Sequence, residues 1–216
     1  MSKSGEVITQ PGQASNVMRR AFHALRNGTP GPVIVEIPGD VAAQEVPADT
    51  LEYQPPKRSL QSPSQGDIKD AVKLLLNAKK PVIWSGMGVL LGGATEELRQ
   101  LAELTDIPVY CTMPGKSSFD ERHPLSLGSG SGATTLPARR WLQESDVLFA
   151  VGSSMTRTGY GQPIPDGKVI IHNVEGIDDI NKDFSVDVGL PGDAKLTLQA
   201  MIDEVRSQLG NNGRNG

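Results

Sequence analysis

Pro81-Val-Ile-Trp-Ser-Gly-Met-Gly-Val-Leu90 decides the fold. Pro81 to Ser85 is an apolar run of strand length, and two closely spaced glycines end it. Outward from it, helices and strands alternate without an internal sequence repeat. Asp67 to Asn77 has helical spacing, with Ile68, Val72, Leu75 and Leu76 on one face. Asp67 stands in its first turn, where the helix dipole favours an anion. Thr95 to Leu104 reads as a helix, Ile107-Pro-Val-Tyr-Cys111 as a strand, and Pro137 to Gln143 as a helix. Asp146 to Val151 and Lys168 to His172 read as strands, and Ser185 to Val188 as a short one. Asp193 to Leu209 closes the series as a helix, with Asp193 as its cap before Leu196, Leu198, Met201, Ile202 and Val205. Strands alternating with helices at this spacing predict a doubly wound α/β domain over 65–209, with a parallel sheet of about six strands.

Ahead of this domain the pattern differs. Gln13 to Arg26 has helical spacing, Asn27-Gly-Thr-Pro-Gly-Pro32 breaks it, and Val33 to Ile37 reads as a buried strand. One helix and one strand bury too little apolar surface to offset their ordering entropy. Residues 1–46 are therefore expected to be the tail of a larger domain. Pro47, Pro55, Pro56 and Pro63 recur in a stretch without periodicity, so 47–64 is expected to be an extended linker. Asn211 to Gly216 is expected to be a flexible tail, with the domain ending at Leu209.

The chain has 216 residues, 37% of them hydrophobic and 4% aromatic, so its core must come from aliphatic side chains. A net charge of −4 argues against a general nucleic-acid or anionic-membrane surface. The longest apolar runs are strand-sized, short of the ~20 residues a membrane helix needs. The first residues lack the apolar core of a secretory signal, and cytoplasmic location is the expectation. The lone Cys111 excludes an internal disulfide and leaves no thiolate cluster for zinc.

Several glycine- and serine-rich stretches follow the strands. Gly86-Met-Gly88 stands where backbone N–H groups can meet a phosphate. The full Gly-x-Gly-x-x-Gly pattern would need glycine at Leu91, so a tight strand-to-helix turn is an equal reading. Cys111-Thr-Met-Pro-Gly-Lys-Ser-Ser118 and Leu127-Gly-Ser-Gly-Ser-Gly132 could line a ligand groove or form surface loops. Arg157, after Val151-Gly-Ser-Ser-Met-Thr, could pair with a phosphate. Glu175, Asp178 and Asp179 could accept a ribose hydroxyl or form a solvated turn. Cys111, His23, His123 and His172 belong to no nucleophile–base pattern, and structural roles suit them better.

These stretches carry a resemblance. Ala78-Lys-Lys-Pro-Val-Ile-Trp-Ser-Gly-Met-Gly-Val89, Leu101-Ala-Glu-Leu-Thr-Asp-Ile-Pro-Val109, Thr112-Met-Pro-Gly-Lys116, His123-Pro-Leu-Ser-Leu-Gly128 and Ser145-Asp-Val-Leu-Phe-Ala-Val-Gly152 resemble the central domain of thiamine-diphosphate-dependent enzymes of the acetolactate synthase group. Residues 13 to 41, ending in Gly31-Pro-Val-Ile-Val-Glu-Ile-Pro-Gly-Asp-Val41, are similar to the end of that family's pyrimidine-binding domain. The resemblance implies a fragment of a 2-oxo-acid carboligase or decarboxylase, a transferase or lyase working as a homo-oligomer with its remaining domains. It implies thiamine diphosphate and Mg2+ in the parent enzyme. The family's activating glutamate and its Gly-Asp-Gly magnesium motif are not found in this sequence: Gly192-Asp-Ala194 is a different phrase. The chain alone is therefore expected to be inactive. In some members the central domain binds FAD or ADP. By position Gly86, Gly88, Thr112, Met113, Gly128, Gly130, Gly152, Arg157 and Glu175 would face that nucleotide. Asn173-Val-Glu175 stands where nucleotide binders often carry an aspartate pair. The alternative is an independent nucleotide-binding module or a scaffold without catalysis.

Overall fold

The computed structural model describes residues 2–46, 53–131 and 133–215. They fall into two compact units, Met1–Leu60 and Gln61–Gly216. Residues 47–52, the first part of the expected linker, lie outside the described residues.

In the first unit, strand β1 (Ser4–Val7), helix α1 (Ala14–Arg26), strand β2 (Val33–Glu36) and the short helix α2 (Gly39–Ala42) follow one another. β1 was not foreseen: Ser-Gly-Glu-Val carries almost no apolar pattern, and its parallel pairing with β2 defines it. Nor is β2 the buried strand expected over Val33 to Ile37. It alternates half-buried and exposed, with Val35 packed beside Ile8, Val17 and Val41 while Ile34 stays 60% exposed. Lys3 caps the end of α1 by donating from Nζ to the carbonyls of Ala24 (2.6 Å) and Asn27 (2.7 Å). Residues 53–60 run back along α1. Arg26 donates to the Pro56 carbonyl at 3.2 Å, and the Ser59 N–H donates to Asn27 Oδ1 at 2.7 Å.

The second unit is the doubly wound domain. Its elements are α3 (Gln65–Asn77), β3 (Val82–Ser85), α4 (Met87–Leu91), α5 (Thr95–Thr105), β4 (Val109–Thr112), β5 (Ser126–Gly130), α6 (Leu136–Glu144), β6 (Val147–Val151), β7 (Val169–Val174), β8 (Val188–Pro191) and α7 (Ala194–Leu209). The six strands run in the order β5-β4-β3-β6-β7-β8, every pair parallel.

The helices begin where their caps dictate. Ser64 accepts from the Asp67 N–H, Thr135 from Ala138 and Asp193 from Leu196. The two central strands are buried along their whole length, as a parallel sheet covered on both faces requires. Their period of two divides the core. Ile83, Val109, Phe149 and Ile171 face α3, α5 and α7, whereas Trp84, Tyr110, Leu148 and Ile170 face α6 and the loops.

Four local expectations are corrected. The stretch 127–132, read as a loop, is mostly strand β5. Leu-Gly-Ser-Gly has no strand-forming side chains beyond one leucine, and pairing with β4 makes it an edge strand. A short helix, α4, fills the turn after Gly86. The last strand lies at Val188–Pro191, where it pairs with β7, and not at Ser185 to Val188. Residues 210–215 are anchored rather than trailing. Gly213 is buried against the Leu104 carbonyl, and Arg214 donates to the Leu75 carbonyl at the end of α3 (3.3 Å). Gln61 to Ser64 joins this unit, because the Asp193 N–H donates to the Gln61 carbonyl at 2.8 Å.

Candidate functional site

Strand order reverses between β3 and β6, so the crevice at their carboxyl ends is where a doubly wound sheet offers a ligand site. Gly86, Gly88 and Gly152 meet there. The Gly86 N–H donates to the Val151 carbonyl (2.9 Å), and the Gly88 N–H donates to the Gly152 carbonyl (2.8 Å). A Cβ on Gly88 would stand 2.7 Å from Gly152 Cα, and one on Gly86 would stand 2.7 Å from Ser153 Cα. Gly152 also adopts φ +61°. Both expected phosphate donors are thus engaged within the protein, and the glycines allow two backbones to cross in contact.

Gly115, which enters the sequence reading only as part of the 111–118 stretch, makes a third crossing. A Cβ there would lie 2.6 Å from the Ser85 carbonyl oxygen. Its N–H donates to Thr112 Oγ1 at 3.1 Å, so the Thr112 hydroxyl shapes this turn. Met113 beside it is 54% exposed. Gly128 and Gly130 lie on edge strand β5, away from the crevice. Tyr110 of β4 is faced by both Leu127 and Gly128, a bulge that Gly128 makes possible at φ +82°. A Cβ on Gly130 would meet the Ala133 carbonyl at 2.8 Å.

Arg157 is held by residues of the segment before β8. Its guanidinium lies 4.6 Å above the Phe184 ring, and its N–H donates to Asp183 Oδ2 at 2.8 Å. Glu175 lies half-buried just past β7. Asn173 is fully buried and acts as a bracket. Its Nδ2 contacts the Leu190 carbonyl (2.9 Å), the Gly192 carbonyl (3.1 Å) and Thr197 Oγ1 (2.9 Å), while its Oδ1 faces the Gly152 N–H at 3.3 Å. One amide thereby ties β7, β8, α7 and the crevice together.

Cys111 is 2% exposed, and burial pushes its thiol above the ordinary value despite Ser118 Oγ at 3.4 Å. It packs as an inert apolar group. His123 Nε2 lies 3.2 Å from Glu103 Oε1 on an exposed rim. His172 is 1% exposed and directs Nε2 at the Ser153 carbonyl, 2.7 Å away; burial holds its pKa below the ordinary imidazole value. Among the described residues, no three His, Cys, Asp or Glu side chains are placed to hold a metal. No helix among them is long and apolar enough to cross a membrane.

The family described as "Thiamine pyrophosphate enzyme, central domain" matches residues 68–201. This chain belongs to it. Among curated relatives, the probable acetolactate synthase large subunit of Methanococcus aeolicus is 39% identical over 204 residues, which cover 89% of this chain and 33% of that protein. The glyoxylate carboligase of Escherichia coli O157:H7 is 31% identical, over 99% of this chain and 36% of the relative. The chain thus spans about a third of the length of these relatives. Benzoylformate decarboxylase from Polynucleobacter necessarius shares the fold with a TM-score of 0.78, at 20% identity over 94% of this chain and 38% of that one. The βα alternation and the sheet of six parallel strands are those of a thiamine pyrophosphate enzyme central domain.

Proposed function

We propose that this chain is the central part of an acetolactate synthase-like 2-oxo-acid carboligase or decarboxylase, preceded by the end of its pyrimidine-binding domain. The domain's work is to hold two catalytic domains in an oligomer. The observation that carries this reading is the carboxyl edge of the sheet, where the Gly86, Gly88 and Gly115 N–H groups and the Asn173 amide are all engaged within the chain. Such an edge builds a rigid spacer.

The residues present do not fit thiamine diphosphate with Mg2+. Asp193, in the stretch nearest to the magnesium motif, is buried and caps α7. The glycines named for FAD or ADP fit no better, since the Gly86 and Gly88 N–H groups are spent at the crossing. The parent enzyme's transferase or lyase chemistry, its cytoplasmic location and its homo-oligomeric state belong to this same reading.

Two assays on the 216-residue chain test it. With pyruvate, thiamine diphosphate and Mg2+, product should form no faster than in a protein-free control. Calorimetry with FAD and with ADP should give no submillimolar binding. Turnover would overturn the spacer reading, and nucleotide binding would restore the cofactor-module alternative.

A further inference from the structure

His172 has unusual surroundings. It lies on β7 with Ala150 and Gly189 as its register partners, so the strands on either side offer it neither charge nor bulk. Its Nε2 is 2.7 Å from the Ser153 carbonyl. A carbonyl only accepts, so the neutral ring carries its proton on Nε2 and leaves Nδ1 as a lone pair. Nδ1 is buried and has no hydrogen-bond partner among the described residues.

Segment 153–157 meets the ring through the Ser153 carbonyl, segment 177–184 lies beside it through Ile180 at Gly189, and the two segments are tied to each other. Lys182 Nζ donates to Asp179 Oδ1 (2.8 Å) and to Thr156 Oγ1 (3.1 Å). The Arg157 N–H donates to Asp183 (2.8 Å), and the Arg157 guanidinium lies over Phe184. Met155, between these anchors, is 6% exposed yet held at φ +48°, where a side chain with a Cβ is strained. Ile180 reaches Gly189 beside the ring, 3.2 Å from where a Cβ would stand.

We propose that residues 153–157 and 177–184 form an acid-released strap over His172, closed while the imidazole is neutral and lifted when it becomes charged. A second proton would place a buried N–H at Nδ1 without an acceptor, and a charge in a low-dielectric site. The charged groups around it give weak compensation. Asp179 attracts the ring but is already paired with Lys182, and Asp183 accepts the Arg157 backbone N–H. Lys182 and Arg157 are themselves cations. The charged ring therefore reaches water by displacing the strap, and the left-handed backbone at Met155 relaxes when it goes. Asn173 and the crossing of Gly86 and Gly88 with Gly152 do not titrate and stay in place, so the strap hinges at Ser153, whose Cα packs against Gly86.

The test uses the wild-type chain between pH 8 and pH 5. NMR of labelled histidine follows His172, and amide exchange read by mass spectrometry follows the strap. After correction for intrinsic exchange rates, amides of 153–157 and 177–184 should exchange at least tenfold faster as His172 titrates, with a midpoint below 6.5. Amides of β3 and β6 should remain protected. His172→Gln keeps a donor for the Ser153 carbonyl but cannot titrate, so the acid-induced rise should vanish. The proposal is overturned if His172 titrates while strap exchange stays flat, if its midpoint lies at or above 6.5, or if His172→Gln shows the same rise. Should that variant not fold, the wild-type midpoints alone decide.

Discussion

Gly152 and Gly167 both sit at positive φ, +61° and +83°, yet substitution should affect them differently. Nothing lies within 4 Å of where a Cβ on Gly167 would be, so Gly167→Ala costs only the left-handed backbone, about 1 kcal/mol. At Gly152 the added Cβ would stand 2.5 Å from the Val89 nitrogen and 2.8 Å from the Gly88 carbonyl carbon. Strain and overpacking then combine, and Gly152→Ala should cost roughly 2–4 kcal/mol in urea unfolding. Equal losses at the two sites would mean that the crossing is not tight. Asn173→Leu tests the bracket in the same assay. It keeps the shape but leaves the Leu190 and Gly192 carbonyls without their donor, at a cost of roughly 3 kcal/mol. Neither role was legible in the sequence. Gly86 and Gly88 announced a turn, but the reason for glycine lies in residues about 65 positions away. Asn173 was visible only as an unexpected residue, because its partners come from β8 and α7.

At the scale of elements, the two units differ in what supports their strands. β3 and β6 have parallel neighbours on both sides and are buried throughout. β1 and β2 pair only with each other, over four residues, and expose Val7 and Ile34. A two-stranded sheet is marginal in water. In the 216-residue chain, amides of β1 and β2 should exchange orders of magnitude faster than those of β3 and β6. Comparable protection would show that the first unit has a support of its own. The helices were the most readable elements, since their apolar spacing is local and Asp193 marks the start of the last one; the Ser64 and Thr135 caps emerge only in the structure. The edge strands were the least readable. β5 holds two glycines and two serines, and its pairing with β4 is a contact made across an intervening loop.

For the molecule as a whole, His172 sets the sign of a pH dependence. Burial lowers its folded-state pKa below the 6.5 of an exposed imidazole. Between those two values the unfolded chain binds a proton that the folded chain does not, so stability rises with pH there. The contribution is complete above about 6.5, falls as the pH drops below it, and levels off under the folded-state pKa. Urea midpoints should therefore be lower at pH 5.5 than at pH 7.5, and the difference should shrink in His172→Gln. An unchanged difference in that variant would assign the acid sensitivity elsewhere.

The sequence by itself determined the alternation of strands and helices over 65–209, the Asp193 cap of the last helix and the family. All of these are set by residues a few positions apart, and short-range spacing is what a linear pattern records. Tertiary structure alone decided the strands β1 and β5, the anchored Gly213 and Arg214, and the backbone crossing that Gly86, Gly88 and Gly152 make. Each depends on two distant stretches arriving within van der Waals or hydrogen-bond distance of each other. Glycine has the same letter whether it clears space for a ligand or for another strand's backbone, and only the fold shows which of the two arrives.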